Sequence, residues 1–157
     1  MKNAYIYINS TTYTAEQQWG IVFTDEALTA LMTPAGKKEY IKNESSLVDG
    51  EEILSMDGFV PKTAARDVQL TFGLKASSLA DFFMKYRSFV KELDKGTIDL
   101  TVHVWEGTTF FKETYHLIYL SCPQYSEFNG RLAKFVLKVR EPNPKNRTLE
   151  HSSDMAL

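Results

Sequence analysis

The chain has 157 residues, 43% hydrophobic and 24% charged, with 18 basic and 20 acidic side chains and a formal net charge of -2. This is the make-up of one globular domain, large enough to close a core without metal or disulfide staples. It excludes a generally basic nucleic-acid coat and an acidic disordered tail.

Aromatic residues make up 13% of the chain, which leans towards strands and interfaces. A single cysteine, Cys122, excludes an internal disulfide and any zinc site built on cysteine pairs. The sequence fits a reducing compartment and shows no signal-peptide pattern. No apolar run approaches the roughly 18 residues of a membrane helix.

In chain order, Tyr5 to Ile8 and Trp19 to Phe23 read as strands, and Asp25 to Met32 reads as a short helix stopped by Pro34. Lys37 to Lys42 reads as a further short strand. From Asn43 to Ala65 the chain is polar, and it reads as a long loop or extended hairpin turned at Asp49-Gly50. Val68, Leu70, Phe72 and Leu74 alternate with more polar residues, as a strand requires.

The clearest element spans about residues 77–94. Leu79, Phe82, Phe83, Tyr86, Phe89, Val90 and Leu93 fall on one helical face, with a serine cap before them and Gly96 after. Strand alternation returns at Ile98–Val104 and at Ala133–Val139, while Tyr115–Leu120 is apolar on both faces. Trp105 to Thr108 and Asn129-Gly130 read as turns. The predicted core combines Phe82, Phe83, Tyr86, Phe89 and Leu93 with Leu70, Phe72, Leu100, Val102, Phe135 and Leu137. Together these elements predict an α+β, β-rich domain over residues 1–142. It is a twisted sheet or barrel of roughly six to eight mainly antiparallel strands with one dominant helix. Residues 143–157 read as a flexible C-terminal tail.

Chemistry is sparse. His103 and His116 sit on strands, His151 sits in the expected tail, and no pair has metal-ligand spacing. Cys122 reads as a half-buried thiol at a strand end rather than as a nucleophile. The eight glycines form no phosphate-binding loop. The expectation is a protein that is not an enzyme, with no catalytic residue, metal or cofactor.

Charge is segregated. Residues 16–57 hold nine acids against three lysines, and residues 131–147 hold six cations against Glu141 alone. Such a chain can meet a second copy of itself head to tail. The candidate interface is Asp49, Glu51, Glu52 and Asp57 on one side, and Arg131, Lys134, Lys138 and Arg140 on the other. Aromatics interleaved with the basic stretch, as base stacking needs, are missing.

One ordered series of short motifs carries a resemblance. It runs Trp19-Gly20-Ile21, Leu28 to Pro34, Lys38-Glu39-Tyr40, Glu44-Ser45 and Asp49-Gly50, then Arg66 to Leu70 and Phe82 to Leu93 with Gly96. It ends with Cys122-Pro123-Gln124-Tyr125 and Glu141-Pro142-Asn143-Pro144 with Arg147. Over roughly residues 5–147 the series resembles the ring-forming domain of the phage distal tail protein family, as encoded in siphophages and prophages of Bacteroides-type bacteria. The resemblance implies a split β-barrel or sandwich assembled as a hexameric ring, joining the tail tube to the baseplate or tip. It implies assembly in the host cytoplasm and residence in the virion tail. Its partners would be further copies and other tail proteins, with no membrane and no sequence-specific nucleic acid. Tail-tube and tail-terminator proteins share a similar fold. Many relatives carry a carbohydrate-binding-like domain after the ring domain, whereas this sequence stops shortly after Pro144. Two other classes remain open: a split-barrel flavin enzyme, which would be yellow, and a monomeric sugar- or peptide-binding module, which would not oligomerise.

Overall fold

The computed structural model describes residues 4–38, 42–43, 49–50, 52–53, 62–126 and 128–153. Strand β1 (Ala4–Ile8) leads into helix α1 (Ala15–Trp19), strand β2 (Ile21–Phe23) and helix α2 (Asp25–Met32). Two short strands follow, β3 (Lys42–Asn43) and β4 (Glu52–Ile53), then β5 (Arg66–Lys75) and helix α3 (Leu79–Leu93). The chain closes with β6 (Thr97–Glu106), β7 (Thr109–Ser126), β8 (Leu132–Glu141) and β9 (Arg147–His151). Seven strands form one sheet in the order β1-β6-β7-β8-β5-β2, with β9 added against β7. Every described pairing is antiparallel. The fold is thus α+β and β-rich, as predicted.

The sheet curls into a nearly closed barrel because its long strands turn alternate residues inward. Val68, Leu70, Phe72 and Leu74 of β5 face Ala133, Phe135, Leu137 and Val139 of β8 in continuous register, and all eight are buried. Ile98, Leu100 and Val102 of β6 and Tyr115 and Leu117 of β7 complete that interior. The end strands β1 and β2 do not pair. A space of only about 30 Å³ between them is lined by Ala4, Ile6, Ile21 and Phe23.

Helix α1 packs across this seam and corrects the reading of Trp19–Phe23 as one strand. Thr14 accepts a hydrogen bond from the Gln17 amide while the Gln17 side chain accepts from the Thr14 amide, a reciprocal cap. Trp19 is buried at the end of this helix. Gly20, at φ 67°, then reverses the chain, and a Cβ there would lie 2.2 Å from the Lys75 carbonyl oxygen. Replacing Thr14 with Ala removes the cap and should cost about 1 kcal/mol. That is a fall of roughly 2–4 °C in a thermal melt; an unchanged melt would show that α1 is held by Trp19 alone.

Helix α3 forms where predicted, capped by Ser78, whose hydroxyl accepts from the Asp81 amide. Its inward stripe is narrower than the pattern suggested. Phe82, Phe89 and Leu93 are buried and Tyr86 is partly buried, but Phe83 is 49% exposed and Leu79 is 55% exposed. Leu79 and Phe83 flank the line Phe82–Tyr86–Phe89–Leu93 that meets the core.

Residues 143–153 depart further from the sequence reading, which extended a tail to residue 157. Arg147–His151 pair with Phe111–Tyr115 of β7 as strand β9, instead of trailing as a tail. An ion pair to buried Glu141 anchors this strand, which local periodicity does not reveal. In the expected hairpin at 43–65, Lys37 bridges Thr63, Lys42 pairs Ile53 and Asn43 pairs Glu52. The remaining residues of that segment, apart from 49–50 and 62–65, lie outside the described residues.

Candidate assembly surface

Strand β7 explains why one face of the barrel stays uncovered. It pairs with β6 only as far as Ile118 and with β8 from Ile118 to Ser126. Beyond Tyr119, whose amide donates to the Gly96 carbonyl, the side of β7 away from β8 has no described strand partner. Pro123 and the register shifts between Tyr119 and Gln124 interrupt regular pairing along this stretch. Such irregularity discourages simple strand addition, so contacts here fall to side chains.

Those side chains are aromatic. Phe128 packs at ring-centroid distances of 4.9 Å on Phe82 and 6.0 Å on Phe83, and Tyr125 lies 5.8 Å from Tyr86 and stacks on Phe135 at 6.2 Å. Leu79, Phe83, Tyr125 and Phe128 are all exposed. They form an apolar face along α3 and the β7–β8 hairpin. The face borders a half-open cavity of about 290 Å³ between α3 and the sheet, whose walls include Tyr86, Phe89, Tyr119, Cys122 and Phe135. An uncovered aromatic face of this kind marks an interaction surface.

Burial pushes the Cys122 thiol up, outweighing hydrogen bonds from the backbone, and its Sγ donates to the Gln124 carbonyl. A protonated thiol is a poor nucleophile. Burial also raises the Tyr119 and Tyr125 hydroxyls, so both stay neutral. His103 is pushed down by burial and by Lys112, and it sits among the rings of Trp105 and Phe110. Among the described residues, no three His, Cys, Asp or Glu side chains gather as a metal site, and no helix is long and apolar enough to cross a membrane.

The predicted charged residues divide. Lys134, Lys138 and Arg140 alternate along the outer face of β8, and Arg131 is exposed at the hairpin end. Arg140 pairs with Asp67 of β5 at 3.0 Å, an exposed contact worth little to stability. Asp49 is exposed, Glu52 belongs to β4 by its backbone, and Glu51 and Asp57 lie outside the described residues.

Sequence reasoning missed the buried polar cluster. Glu141 is fully buried; it accepts from Arg66 at 2.6 Å and from Arg147 at 2.8 Å through both carboxylate oxygens. Burial opposes its charge most strongly, but the hydrogen bonds from Arg147 and Arg66 outweigh it and hold the carboxyl below the usual range. Arg66 also donates to the Leu31 and Thr33 carbonyls at the end of α2. The resemblance motif Glu141-Pro142-Asn143-Pro144 with Arg147 is therefore a structural knot, and it removes Arg147 from the outward-facing basic set.

The described residues thus form a β-rich α+β barrel with an exposed aromatic face and no cluster of three His, Cys, Asp or Glu side chains. No family model and no curated protein matches the chain. Among solved structures, the fold is similar to that of the Dit protein of phage SPP1, described as a paradigm of the hub adsorption apparatus in phages that infect Gram-positive hosts. The match has a TM-score of 0.59 at 14% identity and covers 91% of this chain but 51% of that protein. The chain thus spans about half the length of its structural neighbour, and at this identity the likeness is one of fold.

Proposed function

We propose that the chain is a structural subunit of a phage or prophage tail, assembling head to tail into a ring of six that joins the tail tube to the tip or baseplate. The observation that carries this reading is the fold likeness to a phage hub protein over nearly the whole chain. The uncovered aromatic face supplies the contact such assembly needs. Charge sets orientation and encounter rate, with the basic row Arg131, Lys134, Lys138 and Arg140 of one copy turned to the acidic segment holding Asp49, Glu51, Glu52 and Asp57 of the next. The subunit binds no cofactor and performs no catalysis; its partners are its own copies and the neighbouring tail proteins. It assembles in the host cytoplasm and ends in the virion tail.

Native mass spectrometry across concentration tests the ring. A closed oligomer is expected, with tube and tip partners added if the isolated chain needs a template. Phe83→Asp and Phe128→Asp should each shift it to monomer while leaving the monomer's unfolding transition in place, since both rings are about half exposed. A strict monomer at millimolar concentration with those partners present would sink the ring.

A further inference from the structure

The cavity between α3 and the sheet is walled mainly by aromatic rings. Tyr86 and Phe89 come from α3, Tyr119 and Tyr125 from β7, and Phe135 from β8. The rings brace one another, with Phe89 on Phe135 at 5.7 Å and Tyr86 on Tyr125 at 5.8 Å. At about 290 Å³ the cavity is small for a ligand site, where about 300–1,000 Å³ is usual. That is room for one long side chain, not for a large cofactor.

Its electrostatics are one-sided. Asp94 is the only charged side chain among the described residues that line it, and no Lys, Arg or His does so. Asp94 is exposed and makes no ion pair among the described residues, while its chain neighbour Lys95 is held by Glu92 at 2.9 Å. The Tyr119 hydroxyl is pushed up first by burial and then by Cys122, Asp94 and Tyr86, so these polar groups gather at one mouth. Asp94 also ends α3, its amide donating to the Val90 carbonyl at 2.9 Å. The cavity therefore meets the negative end of the helix dipole as well as a carboxylate. Ring faces add further negative potential. A neutral apolar group would leave the carboxylate unanswered, and an anion would be repelled. A cation on an aliphatic stem satisfies both parts, with the stem among the rings and the head at Asp94.

The chain carries such cations where its own cavity cannot use them. Phe135 and Leu137 line the cavity, and Lys134 and Lys138 alternate with them on the opposite face of β8. Arg131, Lys134 and Lys138 are exposed and make no ion pair among the described residues. We infer that the cavity receives a basic side chain from the β8 row of a second copy, its charged end at Asp94. This rests on the ring reading and gives the aromatic face an anchor, because Tyr125 belongs to both the face and the cavity wall. Cavity and row are different surfaces, so the contact is heterologous and repeats around a ring. It adds Asp94 to the acids that the row meets.

Two measurements test it. In the first, the full chain is held below its assembly concentration and Cys122, whose thiol lines the cavity, is labelled with neutral N-ethylmaleimide. n-Butylguanidinium should protect the thiol at a concentration about tenfold lower than its neutral counterpart n-butylurea. Asp94→Asn should bring the two probes close together. Equal protection of the wild type by both probes overturns the inference. In the second, native mass spectrometry follows assembly. Asp94→Lys should raise the assembly midpoint about tenfold or more, and so should the chain carrying Arg131→Glu, Lys134→Glu and Lys138→Glu. Mixed in equal amounts, every cavity again meets an opposite row, and a mixed oligomer of alternating composition should form. If the triple variant fails to fold, Lys134→Gln with Lys138→Gln replaces it, and its assembly should be weaker and less salt-sensitive than wild type. A cavity that takes free amines alone predicts protection by n-butylguanidinium but assembly indifferent to Asp94→Lys, and that result overturns the inference. A wild-type chain that never oligomerises sinks the ring itself. A wild-type ring that survives Asp94→Lys unchanged sinks the cavity contact alone.

Discussion

Replacing Arg147 with Met should destabilise the domain by about 3–5 kcal/mol, the usual cost of removing one partner from a buried ion pair. Arg147 meets Glu141 with two hydrogen bonds of 2.8 Å, and Glu141 has no solvent to fall back on. The guanidinium also lies 4.7 Å from the centre of the Tyr115 ring and 3.5 Å from Glu113. Burial and the Glu113 charge push the Tyr115 hydroxyl up to about 12, so it remains a neutral donor to Glu113. One side chain therefore ties β9 to β7 and β8, while Arg66 carries the same carboxylate on to α2. In urea the midpoint should fall by about 1 M or more, and amide exchange in β9 should lose its protection first.

The pH dependence separates charge from packing. The folded-state pKa of Glu141 lies below its unfolded value, so the pair contributes fully above the unfolded carboxyl range. That contribution is lost as pH falls through the folded value, where the buried carboxylate takes up a proton and no longer needs Arg147. The gap between wild type and Arg147→Met should thus be widest near neutrality and shrink as the medium is acidified below about pH 4. A gap that stays constant with pH would assign the loss to the Tyr115 contact instead.

What the sequence made legible was whatever local periodicity encodes. Helix α3 was readable from the spacing of Phe82, Phe89 and Leu93 with the Ser78 cap, and β5, β6 and β8 from their alternation. Periodicity shows which residues share a face, but not how wide a stripe of that face the core covers. For that reason Phe83 was expected in the core and lies on the surface. Helix α1 has five residues, too few for a period, although Thr14 and Gln17 spell its cap and Gly20 its end. Strand β9 has Leu149 as its only aliphatic residue and is held by Arg147. The pairing of Arg66 with Glu141 spans 75 positions and follows only from the β5–β8 register.

Replacing Phe89 with Ala should cost about 3–5 kcal/mol, the range for truncating a buried aromatic. Phe89 is 3% exposed and joins three elements. It meets Trp19 edge-on at 5.8 Å, where α1 crosses the barrel seam, and Phe135 of β8 at 5.7 Å. Trp19 is itself fixed by a hydrogen bond from its indole N–H to the Ser88 hydroxyl, on the turn of α3 beside Phe89. Losing the ring removes both aromatic contacts and extends the neighbouring cavity, which Phe89 already helps to wall. Phe83, six residues earlier on the same helix, gives the contrast. Its ring is half exposed, so Phe83→Ala should cost the monomer less than about 1 kcal/mol while weakening assembly. The two variants should be compared by urea melts below the assembly concentration, because oligomerisation would add its own stabilisation. A loss under 1 kcal/mol for Phe89→Ala would mean that α3 does not close the barrel. A large loss for Phe83→Ala would return that ring to the core and take it out of the assembly face.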